Sequence, residues 1–179
     1  FTGPGQLLLG DSPANRIYSV GTIRTLVNGI GHSIVGGGTV GFNNTLIENK
    51  GLIEANQSTG MSIDPWDSGP SWNEGTMRVS GAGSMNIAFG AWENRGLMDV
   101  DATRLLSRSG TYVQTDGETR VDGTMTITSG SYTQSGGLLS GDGVVNSAVS
   151  IQGGSASPSN ADGSPIGSLS IGGNYSQGS

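Results

Sequence analysis

The stretch Gly51-Leu-Ile-Glu-Ala55 returns as Gly75-Thr-Met-Arg-Val79, Gly96-Leu-Met-Asp-Val100, Gly123-Thr-Met-Thr-Ile127 and Gly167-Ser-Leu-Ser-Ile171. In each copy a glycine precedes apolar residues at every second position, which is the period of a strand with one buried face. We interpret the glycine as the residue that supplies the unusual backbone geometry of a tight corner. A recurring period in the low twenties is typical of stacked repeats. The pattern therefore predicts an all-β parallel β-helix, or β-solenoid, of about eight coils with roughly 20–25 residues each.

The composition agrees with such a fold. The chain has 33 glycines among 179 residues, far above the usual share, and only 33 % hydrophobic residues. A solenoid needs few apolar residues because its core is a narrow column. Regular apolar alternation argues against a disordered chain. We expect residues 1–179 to form a single domain, and to be a mature or truncated piece of a longer chain.

Charge and residue counts exclude several classes of function. The formal net charge is −6 with only 8 lysines and arginines, so we expect no nucleic-acid partner. The chain has no cysteine and one histidine, His32, so neither a thiolate site nor a multi-histidine metal site is predicted. No cofactor is predicted either. We expect His32 to be an exposed corner residue, and the absence of a long apolar run predicts no membrane-spanning segment.

Two sets of residues are predicted to form structural ladders. Asn49, Asn73 and Asn94 each lie two residues before a repeat glycine, so stacked coils place them above one another. An inward asparagine there can bond to backbone groups and to its neighbours above and below. Tyr112, Tyr132 and Tyr175, each in a Tyr-x-Gln phrase, are predicted to form a second ladder.

The segment 64–72, Asp-Pro-Trp-Asp-Ser-Gly-Pro-Ser-Trp, is the best candidate for a ligand-binding loop. Its prolines cannot donate to a sheet, so we expect it to project from the coils. Trp66 and Trp72 beside Asp64 and Asp67 form a combination suited to a sugar or a protein partner. The alternative is that the two tryptophans pack on each other and fix the loop. A third tryptophan, Trp92, matches Ile47 in the repeat and is expected in the core.

Acidic residues offer a second, weaker hypothesis. Asp99 and Asp101 alternate with Val100, so both should face outward, and paired carboxylates can cleave glycosidic bonds. The alternative is ordinary surface solvation, which the singly scattered arginines favour. No catalytic residue is therefore predicted. Gly141-Asp-Gly143 is a lone fragment of a calcium-binding repeat, so an isolated Ca²⁺ site is left open.

The phrases at 130–145 and 164–177 resemble the passenger repeats of autotransporters, and the earlier Asn-x-Gly phrases resemble the haemagglutinin-like repeats of exported bacterial surface proteins. The resemblance implies a right-handed parallel β-helix outside the cell, at the surface of a Gram-negative-type bacterium. It specifies an architecture and no catalytic site. One departure is Ile166, where the family has a glycine after its Ser-Pro pair.

These observations favour a non-catalytic exported structural protein: a rigid stalk, an adhesin segment or a fibre subunit. Its partners would be further copies stacked end to end, or a surface glycan or receptor. The alternative is a carbohydrate-binding or polysaccharide-degrading β-helix that uses the 64–72 loop or the outer acidic face.

Overall fold

A computed structural model describes residues 1–159 and 167–178. Within those ranges the chain is all-β and contains no helix. The described residues therefore include no helix that could cross a membrane. The expectation for the corner at Ile166 lies outside the described residues. The strands, in chain order, are β1 (Gly5–Leu8), β2 (Arg16–Ile17), β3 (Arg24–Asn28), β4 (His32–Gly36), β5 (Gly38–Val40), β6 (Thr45–Asn49), β7 (Leu52–Ala55), β8 (Met61–Ile63), β9 (Pro70–Asn73), β10 (Thr76–Val79), β11 (Met85–Ile87), β12 (Ala91–Asn94), β13 (Leu97–Val100), β14 (Leu105–Arg108), β15 (Tyr112–Gln114), β16 (Glu118–Val121), β17 (Thr124–Ile127), β18 (Tyr132–Gln134), β19 (Leu138–Gly141), β20 (Val144–Asn146), β21 (Val149–Ile151), β22 (Ser155–Pro158), β23 (Ser170–Ile171) and β24 (Tyr175–Gln177).

Every third strand belongs to the same sheet, which gives three parallel sheets of eight strands. Sheet A runs from β1 to β22, sheet B from β2 to β23 and sheet C from β3 to β24. The described chain thus winds through eight layers, about seven turns from the first layer to the last. This confirms the predicted β-solenoid. The coils are less even than predicted: Gly5 pairs with His32, 27 residues on, whereas Leu138 pairs with Ser155, only 17 residues on.

The core is a column of apolar side chains that all three sheets direct inward. Strand residues alternate between buried and partly exposed, as the period of two predicted. In sheet A, Ile53, Met77 and Met98 are in direct register and fully buried. Burial of each such side chain contributes roughly 1.5–3 kcal/mol. The repeating phrase thus supplies one rung of the core in each layer.

The repeat glycines are required by close approach of the backbones more than by unusual torsion angles. A Cβ added to Gly75 would lie 2.2 Å from the carbonyl oxygen of Gly51, and one added to Gly96 would lie 2.2 Å from that of Gly75. Gly51, Gly75 and Gly96 do not have a positive φ, whereas Gly117 in the same column has φ of 66°. These glycines therefore lie at corners, as predicted. At the first three, however, glycine is required by close packing of the backbones and not by an unusual torsion angle.

The copies of the phrase do not all belong to one sheet. Gly51, Gly75 and Gly96 precede strands of sheet A, but Gly123 precedes β17 of sheet B. The sheet A strand of that layer is β16. There Thr119 pairs with Met98 of the preceding layer, so the core column has a hydroxyl where that layer has a thioether. Similar local sequence therefore does not fix which of the three sheets a strand joins.

Candidate functional sites

A column of side-chain amides runs along one corner of the solenoid, between sheets C and A. Nδ2 of Asn28 donates to Oδ1 of Asn49 at 2.7 Å, Asn49 donates to Asn73 at 2.7 Å, and Asn73 donates to Asn94 at 2.8 Å. All four side chains are fully buried. The structure thus places Asn49, Asn73 and Asn94 in one column, which Asn28 extends by one layer.

Each amide also bonds to the backbone of the next turn. Nδ2 of Asn49 donates to the carbonyl oxygen of Thr76 at 3.0 Å, and Nδ2 of Asn73 donates to that of Leu97 at 3.0 Å. Both N–H groups of each amide are therefore used, and a carbonyl at the corner gains a donor. Buried polar groups are tolerated only when they are paired in this way.

The column changes its residue type after Asn94. Gln114 and Gln134 occupy the same register, and their Nε2 atoms donate to the carbonyls of Leu138 at 2.9 Å and Ser155 at 3.0 Å. The longer side chain keeps the bond to the backbone. The Tyr-x-Gln phrase was the available signal for these glutamines, and the phrase Leu26-Val-Asn28, which parallels Ile47-Glu-Asn49, was the signal for Asn28.

His32 closes the first end of the amide column. Its Nδ1 lies 2.8 Å from Oδ1 of Asn28, and its ring stacks on Phe1 with centroids 4.7 Å apart. His32 is partly buried, so the expectation of an exposed corner residue was wrong. Asn28 lies in the first described layer, so no earlier asparagine donates to its Oδ1. The His32 ring supplies that hydrogen-bonding partner instead.

Two of the three predicted ladder tyrosines stack on each other. The rings of Tyr112 and Tyr132 lie 5.4 Å apart and 14° from parallel, and both are fully buried. Burial raises the pKa of both phenols. Tyr132 donates to Oε1 of Gln114 at 2.8 Å, which joins the ring stack to the amide column. Tyr175 does not extend the stack, because Val149 lies between it and Tyr132, and its side chain is 48 % exposed.

The segment 64–72 lies against the coils and does not project from them. Pro65 is buried, and the strand β9 already begins at Pro70. Asn43 of the preceding coil holds the loop: its Nδ2 donates to Oδ2 of Asp67 at 3.2 Å, and its backbone N–H donates to the carbonyl of Asp64 at 2.9 Å. Burial, with the charge of Asp67, raises the pKa of the Asp64 carboxyl. The expected projecting loop is therefore a fixed turn.

Trp66 and Trp72 belong to different local structures. Trp66 lies in the turn beside Gly69, and Trp72 lies on the outer face of sheet C between Glu48 and Glu93. No ring contact joins the two tryptophans in the described ranges, so their mutual packing is not observed. The guanidinium of Arg95 lies 5.3 Å from the Trp72 ring centroid.

A charged cleft of about 420 Å³ lies on the outer face of sheet A. Its lining includes Arg78, Asp99 and Arg120, one residue per layer, and Glu54 in the preceding layer extends this column of alternating charge. Arg78 donates to both oxygens of Asp101 at 3.1 and 2.9 Å, and Arg120 donates to Asp122 at 2.8 Å. Asp99 and Asp101 face outward as expected, but the arginines are not scattered: Arg78, Arg104 and Arg120 line the same cleft.

The electrostatics of this cleft favour mutual neutralisation of its charges. Asp99 is the exception, because burial and the nearby Asp101 raise the pKa of its carboxyl while Arg78, 3.5 Å away, lowers it. One oxygen of Asp122 is buried without a hydrogen-bonding partner among the described residues. The cleft could bind a polar chain, but its carboxylates are already engaged by guanidinium groups.

A second pocket, of about 380 Å³, lies at the corner between sheets B and C. Its lining combines the exposed Phe89 with two core side chains, Trp92 and Arg108, each 3 % exposed. Trp92 lies in the core as its repeat position predicted, but the inward position of Arg108 was not predicted. The available signal was its alternation with the buried Leu106 along β14.

Among the residues that the structure describes, no three histidine, aspartate or glutamate side chains form a group that could hold a metal ion. Comparisons of the chain with protein-family models, curated proteins and solved structures found no match. The β-solenoid assignment therefore rests on the strand register of this structure.

Proposed function

We propose that the chain is a non-catalytic structural segment of an exported bacterial protein, a rigid rod that serves as a stalk, an adhesin segment or a fibre subunit. The observation that carries this proposal is the amide column, which links Asn28, Asn49, Asn73 and Asn94 by direct side-chain bonds. Such bonds lie along the solenoid axis and add to the backbone ladders that join each layer to the next. Length and stiffness are the properties that this arrangement favours.

The cellular location is part of the same proposal. The resemblance of the repeat phrases to autotransporter passengers and haemagglutinin-like repeats supports a position at the surface of a Gram-negative-type bacterium. The absence of cysteine is compatible with that environment, because the fold is stabilised by coil stacking without disulfides.

End-to-end association is the proposed assembly mode. Within the described chain, β1, β2 and β3 pair on one side only, as do β22, β23 and β24. Unpaired strand edges favour the addition of further strands. Exposed apolar side chains are also concentrated near the first layers, namely Phe1, Leu8, Tyr18, Val20, Ile23, Ile30 and Phe42. The last layer of a second copy of the chain would cover this surface.

Negative-stain electron microscopy of the purified chain, combined with small-angle scattering, tests the proposal. Eight layers at about 4.8 Å give an axial length of about 40 Å. Filaments with this axial repeat are the expected result for a fibre subunit, and discrete rods of this length are expected for a stalk segment. A globular particle with no elongated axis would refute both forms.

Carbohydrate binding at the 64–72 segment is a second candidate, favoured by the partly exposed Trp72 on the face of sheet C. Trp66→Ala and Trp72→Ala test it by loss of retention on immobilised glycans. Polysaccharide cleavage in the sheet A cleft is a weaker alternative. It requires turnover of a polysaccharide that Asp99→Asn or Asp101→Asn abolishes.

A further inference from the structure

The corner pocket between sheets B and C contains a buried cation that has no anionic partner among the described residues. Arg108 occupies a core column in register with Ile63 and Ile87 before it and Ile127 after it. Its guanidinium has no carboxylate within ion-pair distance in residues 1–159 and 167–178. Burial lowers its pKa to about 10, which reflects the cost of holding the charge there. A charge in a core normally has a paired counter-ion.

Backbone carbonyls satisfy only part of the guanidinium. Nη1 donates to the carbonyl of Ala88, Nη2 to that of Gly90 at 2.7 Å, and Nε to that of Thr111 at 3.2 Å. Arginine carries five N–H donors, so two are left over after these three bonds. The carbonyls orient the guanidinium but supply no full negative charge.

A second residue that lines the pocket also carries a buried donor without a partner. Trp92 is 3 % exposed, lines the pocket, and its Nε1–H has no acceptor among the described residues. A buried indole N–H usually finds an acceptor. Arg108 and Trp92 both line this pocket and both carry N–H donors without an acceptor among the described residues, which indicates a ligand that brings an oxygen acceptor with negative charge.

The rest of the lining indicates what carries that acceptor. Phe89 is 57 % exposed at the pocket rim, and Pro70, Ala91 and Val113 supply apolar surface. A Cβ at Gly110 would lie 3.6 Å from Nη2 of Arg108 and 3.8 Å from Phe89, so this glycine leaves the space between them open. The volume of about 380 Å³ suits one sugar ring.

One carboxylate of the protein, Glu93, also lines the pocket and is already neutralised. Arg95 donates to its two oxygens at 2.9 and 2.8 Å, and the hydroxyl of Thr115 donates to one of them. These bonds lower the pKa of the Glu93 carboxyl, with the Arg95 hydrogen bond as the largest cause. Glu93 is therefore not the counter-ion of Arg108.

We propose that this corner pocket binds a hexuronate residue of an acidic polysaccharide, with its carboxylate toward Arg108 and Trp92 and its ring against Phe89. A planar carboxylate matches the guanidinium fork, and the C–H face of a sugar ring matches an exposed aromatic ring. This site shares Pro70 with the 64–72 segment but uses none of its aspartates or tryptophans, and it does not depend on the rod proposal.

Nuclear magnetic resonance of the ¹⁵N-labelled protein tests the proposal through the indole N–H signals, assigned with Trp→Phe variants. Titration with a galacturonate trisaccharide should move the Trp92 signal saturably, and the matched neutral galactose trisaccharide should bind at least tenfold more weakly. Phe89→Ala should weaken uronate binding about tenfold. Phe42→Ala, which removes another exposed ring far along the chain, should leave it unchanged.

Three results would overturn the proposal: no saturable shift of Trp92, equal binding of the neutral sugar, or equal binding of inorganic sulfate. Arg108→Lys keeps the charge but loses the fork, and should weaken uronate binding while preserving the circular dichroism spectrum. If Arg108→Lys fails to fold, Phe89→Ala still decides the outcome, because Phe89 is exposed and outside the core.

Discussion

The side-chain amide of Asn73 accepts a hydrogen bond from Asn49 at 2.7 Å and donates one to Asn94 at 2.8 Å, so a single residue joins three layers of the solenoid. It also donates to the carbonyl of Leu97 at 3.0 Å. Because this amide is fully buried, the loss of any of these bonds leaves a polar group that water cannot reach.

Replacement of Asn73 by leucine should lower the free energy of unfolding by about 3 kcal/mol, since it leaves a buried donor and buried acceptors unpaired. Urea denaturation followed by circular dichroism measures the change. Asn56→Leu, at an exposed position, is the matched control and should change stability by less than about 0.5 kcal/mol. Equal effects of the two substitutions would show that the amide column does not stabilise the stack.

Gly75→Ala should destabilise the protein by at least about 2 kcal/mol, because the new Cβ would lie 2.2 Å from the carbonyl oxygen of Gly51. The reason is steric and independent of φ, which is not positive at this glycine. Gly10→Ala is the control, since nothing lies within 4 Å of the position that its Cβ would occupy. A thermal melt of both variants measures the effect, and a neutral Gly75→Ala would contradict the close stacking of the coils.

Alkaline pH should destabilise the fold through its two buried tyrosines. Burial raises the pKa of Tyr112 and Tyr132 in the folded state, whereas the unfolded phenols titrate near about 10. Their contribution is fully present below that pH and is lost as the pH rises above it, because the unfolded chain then releases protons that the folded state retains. The loss is up to about 1.4 kcal/mol per pH unit for each tyrosine.

Urea midpoints between pH 8 and 11.5 measure this slope, and Tyr112→Phe and Tyr132→Phe should each make it shallower. Both variants also lose a hydroxyl contact, so the informative quantity is the slope against pH and not the stability at one pH. An unchanged slope in both variants would place the alkaline transition elsewhere in the chain.

Asp99→Asn and Asp101→Asn should have opposite effects at pH 7. Because the pKa of Asp99 is raised in the folded state, the protonated carboxyl stabilises the fold at low pH. This stabilisation is lost as the pH rises past about 4, and an uncharged amide should restore it. Asp101 accepts two bonds from Arg78, and its loss should lower stability. Each change should be less than about 1 kcal/mol because the groups are partly solvated.

Denaturant midpoints at pH 7 and at pH 3 check both signs, since the gain of Asp99→Asn should disappear once the wild-type carboxyl is protonated. Destabilisation by Asp99→Asn at pH 7 would contradict the assignment. These variants also separate the structural role of the sheet A cleft from the catalytic alternative. The catalytic alternative predicts that both variants lose polysaccharide turnover, whether or not their stability changes.

Much of the fold and part of the polar ladder could be predicted because their signals are local. Alternation within Leu52–Ala55 and Thr76–Val79 identifies strands, and the fixed offset from asparagine to glycine predicts that Asn49, Asn73 and Asn94 share a column. The charged cleft and the corner pocket could not be predicted this way. Their members come from different layers, and coils of 17 to 27 residues prevent a constant offset from locating them.

A stack of parallel strands could be identified without coordinates, because a period of two and a recurring glycine are imposed by backbone geometry within each coil. The side chains that meet between coils were identified from the folded structure. It placed Arg78 and Arg120 on either side of Asp99, left Val149 between Tyr132 and Tyr175, and turned Arg108 into the core. Contacts between layers depend on register, and the register of each layer depends on the lengths of all the turns before it.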